Sequence, residues 1–213
     1  MLSERAKKYL ATLEREPAII DEEKITAALE EAKIPIFEPI VKFQMEYGGY
    51  VEWYGFNDFH WGILHHKPEP DSFLEPNEID FYVEDGEYYI TCANCHRSDT
   101  WTLDSKGALY WCGFFKASSF EKKLERDAFA TELDLLGKVN RIRFDAPEED
   151  VVRILVPRLQ NKIIAEASDE YQALYLEDNL YVAVDFKDNA IMAYIIGDET
   201  PVILKDISFR NWL

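Results

Sequence analysis

The first stretch of the chain carries apolar residues at Leu2, Ala6, Tyr9, Leu10 and Leu13, with charges between them. That spacing predicts an amphipathic helix, closed by Pro17. Asp21 offers an N-cap, and Glu22 and Glu23 suit the positive end of a helix dipole. Ile25, Ala28, Leu29 and Ala32 then form the buried stripe of a second helix, stopped by Pro35. A third starts near Pro39, a favoured first-turn residue. It turns Ile40, Val41 and Tyr47 inward and leaves through Gly48-Gly49.

From residue 50 the period changes. YVEWYG (50–55) and HWGILHH (60–66) are rich in aromatic and β-branched residues and predict strands. KPEPDSFLEPNE (67–78), with Pro68, Pro70 and Pro76, predicts a loop. Asp85-Gly86 between the runs IDFYV and YYITC is a strong hairpin signal. A second hairpin is expected where Ser105-Lys106-Gly107 joins TWTLD to ALYWC. Ser118-Ser119-Phe120-Glu121 has the form of a capping box and opens a helix to about residue 136, closed by Gly137.

The remaining pattern repeats the mixture on a smaller scale. VNRIRF predicts a strand, and Asp145-Ala146-Pro147-Glu148 starts a helix that Pro157 must kink or end. ALYLE, LYVAVDF, AIMAYII and PVILKDI alternate as a meander. The fold class expected is α+β: N-terminal helices, an antiparallel meander, a closing helix, then a further αβ unit with a C-terminal β-meander. The corresponding domains are residues 1–137 and an extension over 138–213.

Composition adds a large core and a strong field. The 213 residues are 47% hydrophobic and 14% aromatic. Acidic residues number 41 against 23 basic, a net charge of −18. Such a field repels nucleic-acid phosphates and anionic lipid and steers cationic partners inward, so no direct nucleic-acid or membrane binding is expected. No run approaches the roughly 20 apolar residues of a membrane span. The N-terminal segment has no apolar signal core, which leads to a cytoplasmic expectation.

CANCH, Cys92-x-x-Cys95-His96, is the motif with the most chemical promise. Covalent haem attachment takes place after export, which the N-terminal segment does not suggest. A structural zinc site wants four thiolate or imidazole ligands. Cys92, Cys95 and Cys112 could supply three, with His65, His66 or His96 as the fourth, but Cys112 is followed by Gly-Phe-Phe and not by a second Cys-x-x-Cys. This zinc site is the alternative reading. The expectation is ordinary sheet residues, with no metal and no cofactor. The three cysteines fall on expected strands in acidic surroundings, which raise a thiol pKa and disfavour nucleophilic catalysis. His65 and His66, as strand neighbours, would point to opposite faces. No carboxylate pair stands out as acid and base, and no phosphate-cradling glycine motif is present. No enzymatic constellation emerges.

One stretch departs from chance. Residues 68–87 hold Glu69, Asp71, Glu75, Glu78, Asp80, Glu84, Asp85 and Glu87 with no Lys or Arg, interleaved with Phe73, Leu74, Phe81 and Tyr82. Charge of one sign accelerates encounter with a basic surface, and aromatic side chains anchor the contact. Asp71, Phe73, Glu75, Glu78, Asp80, Tyr82, Glu84, Asp85 and Glu87 are the candidate partner-binding residues.

The order of pieces carries a resemblance. A helix at 21–33 passes through IPIFEP into VKFQMEYGGYVEWYG. TLDSKGALYW forms a late hairpin, and Ala117-Ser-Ser-Phe120-Glu121-Lys-Lys-Leu124 opens the closing helix. Over roughly residues 20–136 this resembles the SUKH superfamily, the Smi/Knr-like immunity fold; residues 138–213 lie beyond it. The resemblance implies an immunity protein that binds and neutralises a toxin, often a nuclease, or a regulatory interaction module. It brings no catalytic residues. Nuclease toxins tend to be basic because their substrate is polyanionic, so a basic cognate toxin domain is the expected partner.

Overall fold

The computed structural model describes residues 1–54, 57–65, 77–94, 100–135, 139–145, 157, 159, 162–186 and 190–197. It is a mixed α+β protein. In chain order the elements are α1 (Glu4–Leu10), β1 (Glu14–Arg15), α2 (Glu22–Glu31), α3 (Glu38–Tyr47), β2 (Tyr50–Tyr54), β3 (Asn57–Trp61), β4 (Phe81–Glu84), β5 (Glu87–Asn94), β6 (Trp101–Asp104), β7 (Leu109–Trp111), β8 (Phe114–Ala117), α4 (Phe120–Leu135), β9 (Val139–Asp145), β10 (Gln172–Glu177), β11 (Leu180–Asp185) and β12 (Ala190–Ile196). Among the described residues, no helix is long and apolar enough to cross a membrane.

The chain packs as two compact units, Leu10–Phe120 and Met1–Tyr9 with Glu121–Leu213. The boundary read from the sequence, residue 137, lies outside the described residues; the units divide between Phe120 and Glu121.

The first unit is built on an eight-stranded sheet in the order β1-β2-β3-β5-β6-β7-β8, with β4 paired to the free half of β5. Its helices follow the sequence signals. Asp21 caps α2 by accepting from the Lys24 amide at 3.1 Å. Pro39 lies in the first turn of α3, and Gly49 takes φ +88° as the chain leaves it. Phe43 and Tyr47 of α3 meet Phe120, with ring centroids at 5.0 and 4.8 Å. Phe120 also meets Trp61, which packs edge-on to Trp101. This aromatic cluster, with Ile90, Leu103 and Leu109, is the core.

Two elements differ from the pattern. The first helix stops at Leu10, and Glu14–Arg15 instead forms an edge strand on β2. The HWGILHH run leaves the sheet after Trp61, and the cause is Gln44 on α3, fully buried. Its side-chain oxygen accepts from the amides of Ile63 (2.6 Å) and Leu64 (3.3 Å), and its nitrogen donates to the carbonyl of Ile19 at 2.8 Å. One side chain thus takes over backbone groups that a strand neighbour would have satisfied. Gly62, at φ +145°, makes the exit; a Cβ there would stand 3.0 Å from the Gln44 oxygen.

The second unit holds an antiparallel sheet in the order β10-β11-β12-β9. Phe129 and Leu133 of α4 pack on Leu174 and Tyr181 of that sheet. Arg126 ties the helix to the segment before β10, donating to the Ala167 carbonyl and pairing with Asp169 at 2.8 Å. The helix expected from Asp145 onward lies outside the described residues, as does the final PVILKDI run.

Candidate functional site

The Asp-Gly hairpin forms as its sequence demands. Asp85 and Gly86 take φ +51° and +83°, the doubly left-handed turn whose twist matches a two-residue connection. A two-residue turn fixes the register: Glu84 faces Glu87, Val83 faces Tyr88, and Tyr82 faces Tyr89. Alternation then puts Glu84, Glu87, Tyr82 and Tyr89 on one face of the sheet. On the next strand Asp104 stands opposite Tyr89, and on the strand after that Tyr110 faces Thr102. The face therefore presents three tyrosines among three carboxylates.

The tyrosines touch in series. Tyr82 and Tyr89 stack with centroids 5.0 Å apart and ring planes 12° from parallel. Tyr89 meets Tyr110 edge-on at 5.2 Å, and Tyr110 meets Phe115 in the same way at 5.5 Å. Each such contact is worth about 0.5–1.5 kcal/mol beyond area burial, so the row is held rigid before any partner arrives. Tyr82 is 41% exposed and Val83 50%; Tyr89 and Tyr110 are half-buried.

The carboxylates fall into two groups. Asp104 is buried and structural: one oxygen accepts from the amides of Lys106 and Ala108, and the other accepts from the Tyr110 hydroxyl at 3.3 Å. Glu87 accepts from the Ser105 amide at 3.1 Å. The Ser105 hydroxyl and amide hold its pKa below the usual carboxylate range, with a smaller contribution from the Lys106 charge. Glu84 and Asp85 are exposed at the hairpin tip. The Tyr89 hydroxyl shows the combined field: burial first, then Tyr82, Asp104, Glu84 and Glu87, push its pKa up.

Of the residues singled out from sequence, Tyr82, Glu84 and Glu87 share this face, with Asp85 in the turn beside them. Asp80 lies just before β4, accepting from the Thr91 hydroxyl at 2.7 Å, and Glu78 is exposed two residues earlier. Asp71, Phe73 and Glu75 lie outside the described residues. Tyr89 and Tyr110 were missed. The signal for Tyr89 was present, since a two-residue Asp-Gly turn dictates that it faces Tyr82. Tyr110 is set by the pairing of three strands, which no local pattern announces.

The cysteines are separated. Cys92 is fully buried on β5, whereas Cys112 is exposed in the turn after β7, at φ +49°. Cys95, His66 and His96 lie outside the described residues. Among the described residues no three His, Cys, Asp or Glu side chains converge so as to hold a metal ion. His65, off the strand expected for it, is buried.

No family model, curated protein or solved structure matches the chain.

Proposed function

We propose that the chain is a non-enzymatic, acidic protein-binding module, and that it acts as an immunity protein of SUKH type by occluding a basic, nuclease-type toxin domain. The observation that carries this reading is the row Tyr82–Tyr89–Tyr110 with Glu84, Asp85 and Glu87 at its end. Stacked tyrosines lose little conformational freedom on binding and offer both apolar area and hydroxyl groups, a combination favoured at interface centres. The carboxylates at the rim and the net charge of −18 accelerate encounter with a cationic surface. A partner that evolved to hold a polyanion carries such a surface.

Affinity capture from cells, with captured proteins identified by mass spectrometry, tests the reading. Wild-type protein is expected to capture a basic nuclease domain and inhibit it. The double variant Tyr82→Ala/Glu84→Lys is expected to associate about tenfold or more slowly at low salt, with a weaker dependence on ionic strength. Equal association of the two proteins would overturn the assignment of this face.

A further inference from the structure

A second place in the first unit has the makings of a site, and it is built by the segment that Gln44 pulls out of the sheet. Glu16, Pro17, Ala18, Gly49, His60, Trp61, Leu64 and His65 line a cavity of about 180 Å³, several times the roughly 30 Å³ share of one water. Its walls are of two kinds. Pro17, Ala18, Leu64 and the Trp61 indole are apolar, and the Trp61 N–H is already committed to Glu52 at 3.0 Å. The polar side consists of His65, His60 and Glu16.

His65 is 8% exposed, and its Nε2 has no hydrogen-bond partner among the described residues. The ring's backbone hydrogen bond to Gly62 favours the protonated imidazole, so the Gly62 group is the carbonyl. With Nε2 unbonded, that bond belongs to Nδ1–H. A neutral imidazole that donates from Nδ1 keeps the lone pair on Nε2. Burial, then the neighbouring His60, holds the His65 pKa down at about 4, so the ring is neutral near pH 7. Glu16 bonds His60 Nδ1 at 2.9 Å through one oxygen, and its side chain is 46% exposed. A carboxylate accepts up to about four hydrogen bonds, so most of its capacity is open.

We infer that this cavity binds a small protonated amine, an alkylammonium group or the end of a lysine side chain, with its N–H groups donated to His65 Nε2 and Glu16 and its methylenes against Pro17, Ala18, Leu64 and Trp61. The polar wall offers acceptors and negative charge, which suits an N–H cation and rejects an anion. The apolar wall rejects a strongly hydrated metal ion and accepts a short hydrocarbon stem. An acceptor sealed from bulk water costs free energy while unpaired, and an entering ammonium group relieves that cost. The inference does not rest on the tyrosine face or on any toxin partner.

The test is titration of the full chain, labelled with ¹⁵N at histidine, with butylammonium chloride, following the side-chain nitrogens of His65 by NMR. A saturable shift at Nε2 is expected with butylammonium and not with butyltrimethylammonium, which carries the charge without N–H donors. His65→Phe is expected to weaken butylammonium binding about tenfold or more by calorimetry. Glu16→Gln, at a half-exposed position where folding is not at stake, should weaken it severalfold. Nα-acetyl-lysine amide distinguishes the sources: if it binds as butylammonium does, the cavity accepts a protein side chain; if only butylammonium binds, the ligand is a free amine. The absence of a saturable Nε2 shift, an equal response to both ammonium probes, or unchanged affinity in Glu16→Gln would overturn the inference. Tyr82→Ala/Glu84→Lys should bind butylammonium as the wild type does, so failure here is separable from failure of the partner face.

Discussion

The two faces of the first sheet are both aromatic, yet they do different work. The inner face holds Phe59, Trp61 and Trp101, none more than 9% exposed, in edge-on contacts closed by Phe120. The other face holds Tyr82, Tyr89 and Tyr110 in a row that begins at a 41% exposed ring. Inside, size matters: each ring removes a large apolar area from water and meets rings from several elements. Outside, the hydroxyl matters, because a tyrosine keeps its polar end wet while its ring stacks. The contrast explains how an aromatic-rich chain can keep one such surface free for contact.

The contrast can be broken most severely from the inside. Trp61→Ala leaves a cavity against Trp101 and Phe120 and is expected to cost about 3–5 kcal/mol in denaturant unfolding. A loss under about 1 kcal/mol would mean that the cluster is not the core.

The next largest effect comes from His65. Its pKa is near 4 when folded, against an ordinary value near 6.5. The unfolded chain therefore binds more protons between these values, and stability falls as the pH drops through them. The contribution is fully present above about pH 6.5 and is lost by about pH 4, roughly 3 kcal/mol in all. Carboxylates titrate in the same window, so the measurement is the difference between wild type and His65→Phe. The variant should show the shallower decline, and parallel curves would show that the ring is not held neutral by burial.

Glu52 sharpens the comparison, being a carboxylate on the apolar face, 1% exposed and bonded to the Trp61 indole. Glu52→Leu leaves that indole N–H without this acceptor and is expected to cost about 1–3 kcal/mol by chemical denaturation. The smallest effect belongs to the outer face. Tyr82→Ala should change stability by less than about 1 kcal/mol while reducing partner association. A larger loss of stability would make Tyr82 a structural residue and erase the distinction between the faces.

Much of this was legible along the chain because it depends on near neighbours. Asp21 caps its helix, Pro39 sits in a first turn, Asp85-Gly86 makes the hairpin, and Asp178, at φ +47°, turns β10 into β11. Tyr82, Glu84 and Asp85 could be singled out because charge and aromatic rings cluster in sequence there. Other features were not legible. The apolar stripe that continues to Leu13 does not reveal that backbone pairing with Val51 claims Glu14, nor that Tyr50 claims Arg15. The run HWGILHH has strand composition throughout, and only a glutamine about twenty residues away decides that it bends after Trp61.

The sequence by itself determined the α+β class, the positions of most turns and the acidic excess, because caps, φ-restricted residues and charge act over a few residues or through a sum. The tertiary structure alone decided that Tyr89 and Tyr110 join Tyr82 in one row, that Cys92 and Cys112 part company, and that His65 faces a cavity with Glu16. Each of these depends on strand register or on a buried side chain replacing a backbone partner. Both are settled by which distant segments can satisfy their hydrogen bonds together once water is excluded.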